Sequence, residues 1–200
     1  RVSRGLGDVY KRQEQNSAMR KAKKIIKDFN GDTHKTVLFL SYKAENWNTM
    51  DNIYKKYCQE KDIKVIVQCV PYYYKNIDGT FEKYIDGGMY PEYVTITPIE
   101  DYNYVNENPD VIVFQYPYDN YNSAGTTDPV FYSYNLASHT QKLIYIPYFR
   151  TDEIDENDMR AYTNMDAYVT MPGVVYADKV IVQSEEIRKL YIKKLTDFFG

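Results

Sequence analysis

Thr36 to Ser41, TVLFLS, is an unbroken apolar run. It is too short for a buried helix and reads as a strand covered on both faces. Four runs of the same kind follow: Ile63 to Val70 (IKVIVQCV), Val111 to Gln115 (VIVFQ), Leu143 to Ile146 (LIYI) and Lys179 to Gln183 (KVIVQ). Helical patterns fill the intervals. Trp47, Met50, Ile53, Tyr54, Tyr57 and Cys58 recur at helical spacing after the first run. Pro98 to Asn108 reads as a helix stopped by Pro109, and shorter helices are expected around Tyr134 to His139 and over Asp158 to Asp166. After the last run Ser184 caps a helix that starts with Glu185 and Glu186 and buries Ile187, Leu190, Tyr191, Leu195 and Phe198. Strands alternating with helices predict a Rossmann-like, three-layer α/β/α domain with a mainly parallel sheet. The first strand is expected at its centre. A short extra strand is expected over Tyr93 to Thr97. The turns at Asp78-Gly79 and Gly87-Gly88 punctuate a long loop before it.

Composition narrows the class. The 200 residues carry a net charge of −3, which gives no reason to expect a nucleic-acid partner. No apolar run approaches the roughly 20 residues that span a bilayer, and no secretory signal stands at the start. The expected setting is cytoplasmic. Cys58 and Cys69 read as buried small hydrophobes, and with only two histidines beside them they make no metal set. No cofactor is expected, because the glycine-rich phosphate loops are missing.

The ends read differently from the middle. Val2 to Gln13, VSRGLGDVYKRQ, has no periodicity and resembles a translated adapter scar, so residues 1–18 are taken as a non-native or disordered leader. Residues 19–33 hold a short basic helix and linker, with Arg20, Lys21, Lys23, Lys24 and Lys27 on a solvated face and Gly31 as its stop. Residues 34–200 form the domain.

In parallel sheets ligands bind beyond the carboxyl ends of the strands. That rule selects Ser41-Tyr42-Lys43, Pro71 to Tyr74, Tyr116 to Asn120, Pro147-Tyr148-Phe149 and Gln183-Ser184. Proline restrains such loops, and tyrosine, present 23 times, supplies a flat face and a hydroxyl. Tyr72, Tyr74, Tyr116, Tyr118 and Tyr148 are therefore expected to line one polar cleft, unless they merely cover the sheet edge. Lys43 stands where an anion would meet a helix start, or else is simply a solvated lysine. Asp119 is the best-placed carboxylate, beside Asn120 and Asn122, either for ligand hydroxyls or for a local turn. Ser184 closes the set, and Tyr121 to Thr127 (YNSAGTT) reads as a flexible hydroxyl-rich loop. His139 ends a helix and reads as a dipole partner rather than a base. No catalytic residue is assigned.

The blocks LSYKAENWNTMDNIY, VPYYYKNIDGTF, YPYDNYNSAGTTDPVFYS, LIYIPYF and ADKVIVQSEEIRKLYI, in this order, resemble bacterial proteins grouped with the CDP-glycerol glycerophosphotransferases, which are similar to the builders of teichoic acid-type polymers. The resemblance covers most of Lys35 to Phe199. It implies half of a glycosyltransferase-B-like architecture: an acceptor-side domain, with the C-terminal donor-binding half outside this sequence. The implied activity of the whole is transfer of glycerol phosphate to a polyol-phosphate or glycan acceptor in cell-wall biogenesis, with peripheral contact at the inner face of the membrane. Polymerases of the family carry a histidine base after the fourth strand, where this chain reads Ile146-Pro147-Tyr148-Phe149. The general base is thus unassigned, and this half alone is expected to be inactive. A glycosyltransferase of the same architecture, or a non-catalytic glycan- or nucleotide-binding module, stands as the alternative.

Overall fold

The computed structural model describes residues 14–15, 17–23, 25–26, 34–86, 88–155 and 157–200. The stretch up to Gln13 lies outside them. Five strands make one all-parallel sheet: β1 (Lys35–Ser41), β2 (Ile63–Cys69), β5 (Val111–Phe114), β7 (Lys142–Tyr145) and β8 (Lys179–Val180), in the order β2-β1-β5-β7-β8. The expected α/β class and parallel pairing hold. β1 is interior, but β5 takes the centre, because three strands are added on one side of β1 and a single strand on the other.

Alternation along β1 feeds both layers. Val37 and Phe39 pack with Trp47, Met50 and Tyr54 from the turn Ala44–Thr49 and helix α1 (Asp51–Cys58). Leu38 and Leu40 pack on the opposite face with Leu136, Val169, Val174, Ile187, Leu190 and Tyr191. These come from α3 (Ser133–Ser138), α5 (Asp166–Val169), α6 (Pro172–Tyr176) and α7 (Glu185–Phe199). Helices α2 (Tyr104–Glu107) and α4 (Met159–Asn164) complete the set named here.

Several local expectations are corrected. The long loop after β2 contains a hairpin, β3 (Tyr72–Lys75) with β4 (Phe81–Tyr84), and the segment YNSAGTT contributes β6 (Gly125–Thr127) to the other side of β3. Alternation was hidden there because tyrosine is neither clearly apolar nor clearly polar. Gly125 is needed in that sheet, since a Cβ on it would stand 2.9 Å from the Tyr73 carbonyl oxygen. Tyr93 to Thr97 makes one isolated bridge, Ile96 to Val67, in place of a strand. Pro98 to Asn108 is two short pieces, Ile99–Asp101 and α2, broken by the extended Tyr102 and Asn103. Cys69 is buried, but Cys58 is exposed. Helical residues begin at position 14, within the stretch read as leader.

Two buried glutamines, Gln68 inside β2 and Gln115 just after β5, hold the layers to the strand ends. Gln68 Nε2 donates to the carbonyls of Pro98 and Tyr102 at 3.0 and 2.9 Å. Gln115, fully buried, accepts from Tyr42 N at 3.0 Å and donates to Asn46 O and Thr49 Oγ1 at 2.9 and 2.8 Å. It therefore ties the end of β5 to the chain leaving β1. Gln115→Met keeps the volume and deletes all three bonds. Unmet buried polar groups cost about 1–3 kcal/mol each, so urea unfolding should show a loss of about 2–4 kcal/mol. A loss below about 0.5 kcal/mol would contradict this role.

Candidate functional site

Strand order reverses between β1 and β5, which puts the topological switch point between Ser41-Tyr42-Lys43 and Gln115-Tyr116. Tyrosines meet there. The Tyr42 ring lies 5.0 Å from Tyr72, 5.0 Å from Tyr116 and 5.1 Å from Tyr148. Tyr148 stacks on Tyr116 at 6.5 Å with 10° between planes, and Tyr118 meets Tyr116 edge-on. Tyr74 and Tyr84 extend the group from β3 and β4.

The five predicted tyrosines are thus brought together, but mostly against one another. Tyr72 and Tyr116 are buried, Tyr116 donates to Gly125 O at 3.1 Å, and the rings fill the crevice that they were expected to line. Burial pushes the phenols of Tyr42, Tyr116, Tyr118 and Tyr148 above their ordinary value. They stay neutral at physiological pH and are poor proton acceptors. The Lys43 ammonium lies over the Tyr42 and Tyr72 rings, 5.3 and 5.2 Å from their centroids, and reaches Tyr74 Oη at 3.4 Å. The Asp86 carboxylate accepts from Ala44 N, so the chain's own anion occupies the start of that turn.

The acidic and amide residues are engaged in folding. Asp119 sits at a positive φ of 50°, where Tyr121 N closes a turn onto Tyr118 O. Its two carboxylate oxygens accept from Ser133 N at 2.9 Å and Ser133 Oγ at 2.7 Å, at the start of α3. Asn122 Oδ1 accepts from Ala124 N, and Lys75 Nζ reaches the carbonyls of Asn120 and Asn122. Of the three, the Asn122 side chain also hydrogen-bonds Tyr116 of the ring cluster. Gly173 N donates to Pro117 O at 2.7 Å, and a Cβ on Gly173 would stand 2.4 Å from Pro117 Cα, so the loop before Tyr118 is clamped.

The open concavity lies beside the rings, beyond the carboxyl ends of β7 and β8. It has a volume of about 450 Å³. Both helical layers reach it: Asn48, Thr49 and Asn52 from the α1 side, Ile187 and Tyr191 from α7. Phe149, Arg150 and Thr151 follow β7, and Gln183 and Ser184 follow β8. Gln183 locks the two loops together, accepting from Thr151 N at 3.0 Å and donating to Thr151 O at 2.5 Å. Ser184 Oγ accepts from Ile187 N at 3.2 Å, which caps α7 as expected. Arg150 is exposed and pairs with no group among the described residues. Of the predicted site residues, Ser184 is the one that lines this groove. Arg150, Asn48 and Asn52 were missed. The carboxyl-end rule reaches Arg150 one residue after Phe149, whereas nothing in the sequence points the α1 amides at a groove.

Comparison with protein-family models, curated proteins and solved structures finds no match to this chain. Among the described residues no group of three or more His, Cys, Asp or Glu is placed to hold a metal ion. None of the described helices is long and apolar enough to cross a membrane.

Burial raises the Asp119 carboxyl to about 6 against the two bonds from Ser133. Below about pH 4 the group is protonated in both folded and unfolded chains. Between about pH 4 and 6 the folded chain keeps a proton that the unfolded chain loses. Stability therefore falls as pH rises through that window, by about 2–3 kcal/mol, and is flat above it. Asp119→Asn should remove this fall. The check is the difference between wild-type and variant unfolding free energies from pH 4 to 7. A constant difference would contradict it.

Proposed function

We propose that this domain is the acceptor-holding half of a transferase built from two Rossmann-like domains, and that it holds a polyol-phosphate or glycan acceptor in the groove beyond β7 and β8. The observation that carries the reading is a guanidinium, unpaired among the described residues, at the carboxyl edge of a parallel sheet, with Glu153 on the same groove. Arg150 offers a bidentate partner to a phosphodiester. Phe149 offers an apolar face to a polyol chain, and the amides of Asn48 and Asn52 offer hydrogen bonds to its hydroxyls. The resemblance to the CDP-glycerol glycerophosphotransferases agrees with this placement.

In the intact transferase an acceptor hydroxyl would attack the β-phosphorus of CDP-glycerol. The new P–O bond forms as the bond to CMP breaks, and the hydroxyl proton passes to a base that this half does not supply. Tyr148, where the family carries histidine, has its phenol pushed up by burial and cannot take that proton near neutrality. The same fact favours a second reading, a non-catalytic glycan-binding module.

Two assays test the proposal. Isothermal titration with a short glycerol-phosphate oligomer should show weak binding that falls about tenfold or more in Arg150→Ala, since a charge-assisted pair is worth about 1.5–3 kcal/mol. CMP release from CDP-glycerol should stay at background, because positioning two substrates across two halves supplies about 7–11 kcal/mol of such a barrier. Binding unchanged in Arg150→Ala would remove the groove from the account. CMP release above background would overturn the divided site.

A further inference from the structure

At the amino ends of the strands, the helical residues 17–23 bring two cations onto the C-terminal end of α3. Arg20 Nε donates to Ala137 O at 2.7 Å, and its Nη1 lies 2.7 Å from both carboxylate oxygens of Asp178. Lys23 Nζ donates to Asn108 Oδ1, to Ser138 O at 3.3 Å and to His139 Nδ1 at 3.2 Å. An ammonium has three protons, and these acceptors take all three. The last carbonyls of a helix lack partners within it, so the two cations also complete α3. This corrects the expectation of a wholly solvated basic face. It also moves the dipole role from His139 to Arg20 and Lys23.

One of the three acceptors is conditional. The His139 ring hydrogen-bonds the Val105 backbone and packs edge-on against Tyr104 at 5.9 Å, and its Nδ1 lies 3.2 Å from Lys23 Nζ and 3.3 Å from Asn108 Oδ1. That nitrogen accepts only while the ring is neutral. Protonation deletes the bond, makes Nδ1 a donor to the Asn108 Oδ1 that Lys23 also uses, and sets two positive charges about 3 Å apart. We propose that Lys23, Asn108 and His139 form an acid-released clasp, which holds the basic helix against the domain at neutral pH and lets it go in mild acid.

The surroundings fit this. Around the clasp stand Arg20 and Lys23 from the helix, Asp178 before β8, Glu107 and Asp110 near the end of α2, Lys64 on β2, and the phenols of Tyr102 and Tyr104. Asp178 is taken by Arg20 and Leu143 N, and Asp110 by Thr36 N and Gln141. Lys23 is the group whose charge acts on the ring. Burial, then that charge, lowers His139 below its ordinary 6.5. The docked state thus binds fewer protons than the released one. Docking is strongest while the ring is neutral and weakens as pH falls through the lowered value.

The chain has only two histidines, so imidazole NMR with a His34→Gln control resolves the titration. Amide exchange over residues 17–23, corrected for intrinsic rates, reads the clasp directly. The expected result is protection at about pH 7.5 that is lost several-fold by about pH 5, with the His139 midpoint below 6.5. Lys23→Met should raise that midpoint and weaken protection at about pH 7.5. His139→Gln keeps a neutral acceptor and should hold protection constant across the range. The proposal falls if residues 17–23 are unprotected at about pH 7.5, or if protection is equal at both pH values. It also falls if the acid loss persists in His139→Gln.

Discussion

Everything at the carboxyl edge depends on how the crevice between β1 and β5 is closed. A parallel sheet that grows both ways from its first strand leaves the outgoing chains to diverge at that point. Here Gln115 spans the gap with one amide, bonded to Tyr42 N on one side and to Asn46 and Thr49 on the other. The rings of Tyr42, Tyr72, Tyr116 and Tyr148 then occupy the space above it. The position that holds ligands in many open α/β sheets is filled by side chains in this protein. The nearest open volume is shifted two strands along, to β7 and β8.

That shift decides the chemistry. The packed phenols are neutral, and Asp119, though raised to about 6, is bonded to Ser133, so the rings at the switch point contribute rigidity rather than acid–base groups. The groove is held by the paired bonds between Gln183 and Thr151, and it carries Arg150, unpaired among the described residues, and Glu153 among amides and an aromatic ring. On the proposed reading such a lining serves recognition of an extended, hydroxylated, phosphorylated chain rather than bond-making. A divided transferase assigns these tasks to different halves.

Much of this was legible in the sequence, and the failures share a cause. The five apolar runs announce the parallel sheet because strands buried on both faces need no alternation. The carboxyl-end rule selects the edge of the domain at which both the tyrosine cluster and the β7–β8 groove stand. It does not say whether tyrosines at that edge line a space or fill it, since a ring with a polar tip suits both. Asp119 looked free because its partner, Ser133, lies fourteen residues away, beyond any local turn pattern. The β3–β4 hairpin and β6 carry no strand signal in the sequence, because their tyrosines and threonines show no hydrophobic period. Lys23 looked solvated because its acceptors, Asn108, Ser138 and His139, come together only in the folded chain.

The account stands or falls on where the ligand sits. The direct measurement is backbone amide shift mapping by ¹⁵N NMR while a short glycerol-phosphate oligomer is added to the full chain. The predicted result is saturable shifts at Asn48 to Asn52, Arg150, Thr151 and Gln183 to Ile187, with the amides of Tyr42, Tyr72, Tyr74 and Tyr116 unmoved. Shifts centred on Lys43, Tyr72, Tyr74 and Tyr84, with the Arg150 loop silent, would contradict it. The tyrosine cluster would then be the binding surface.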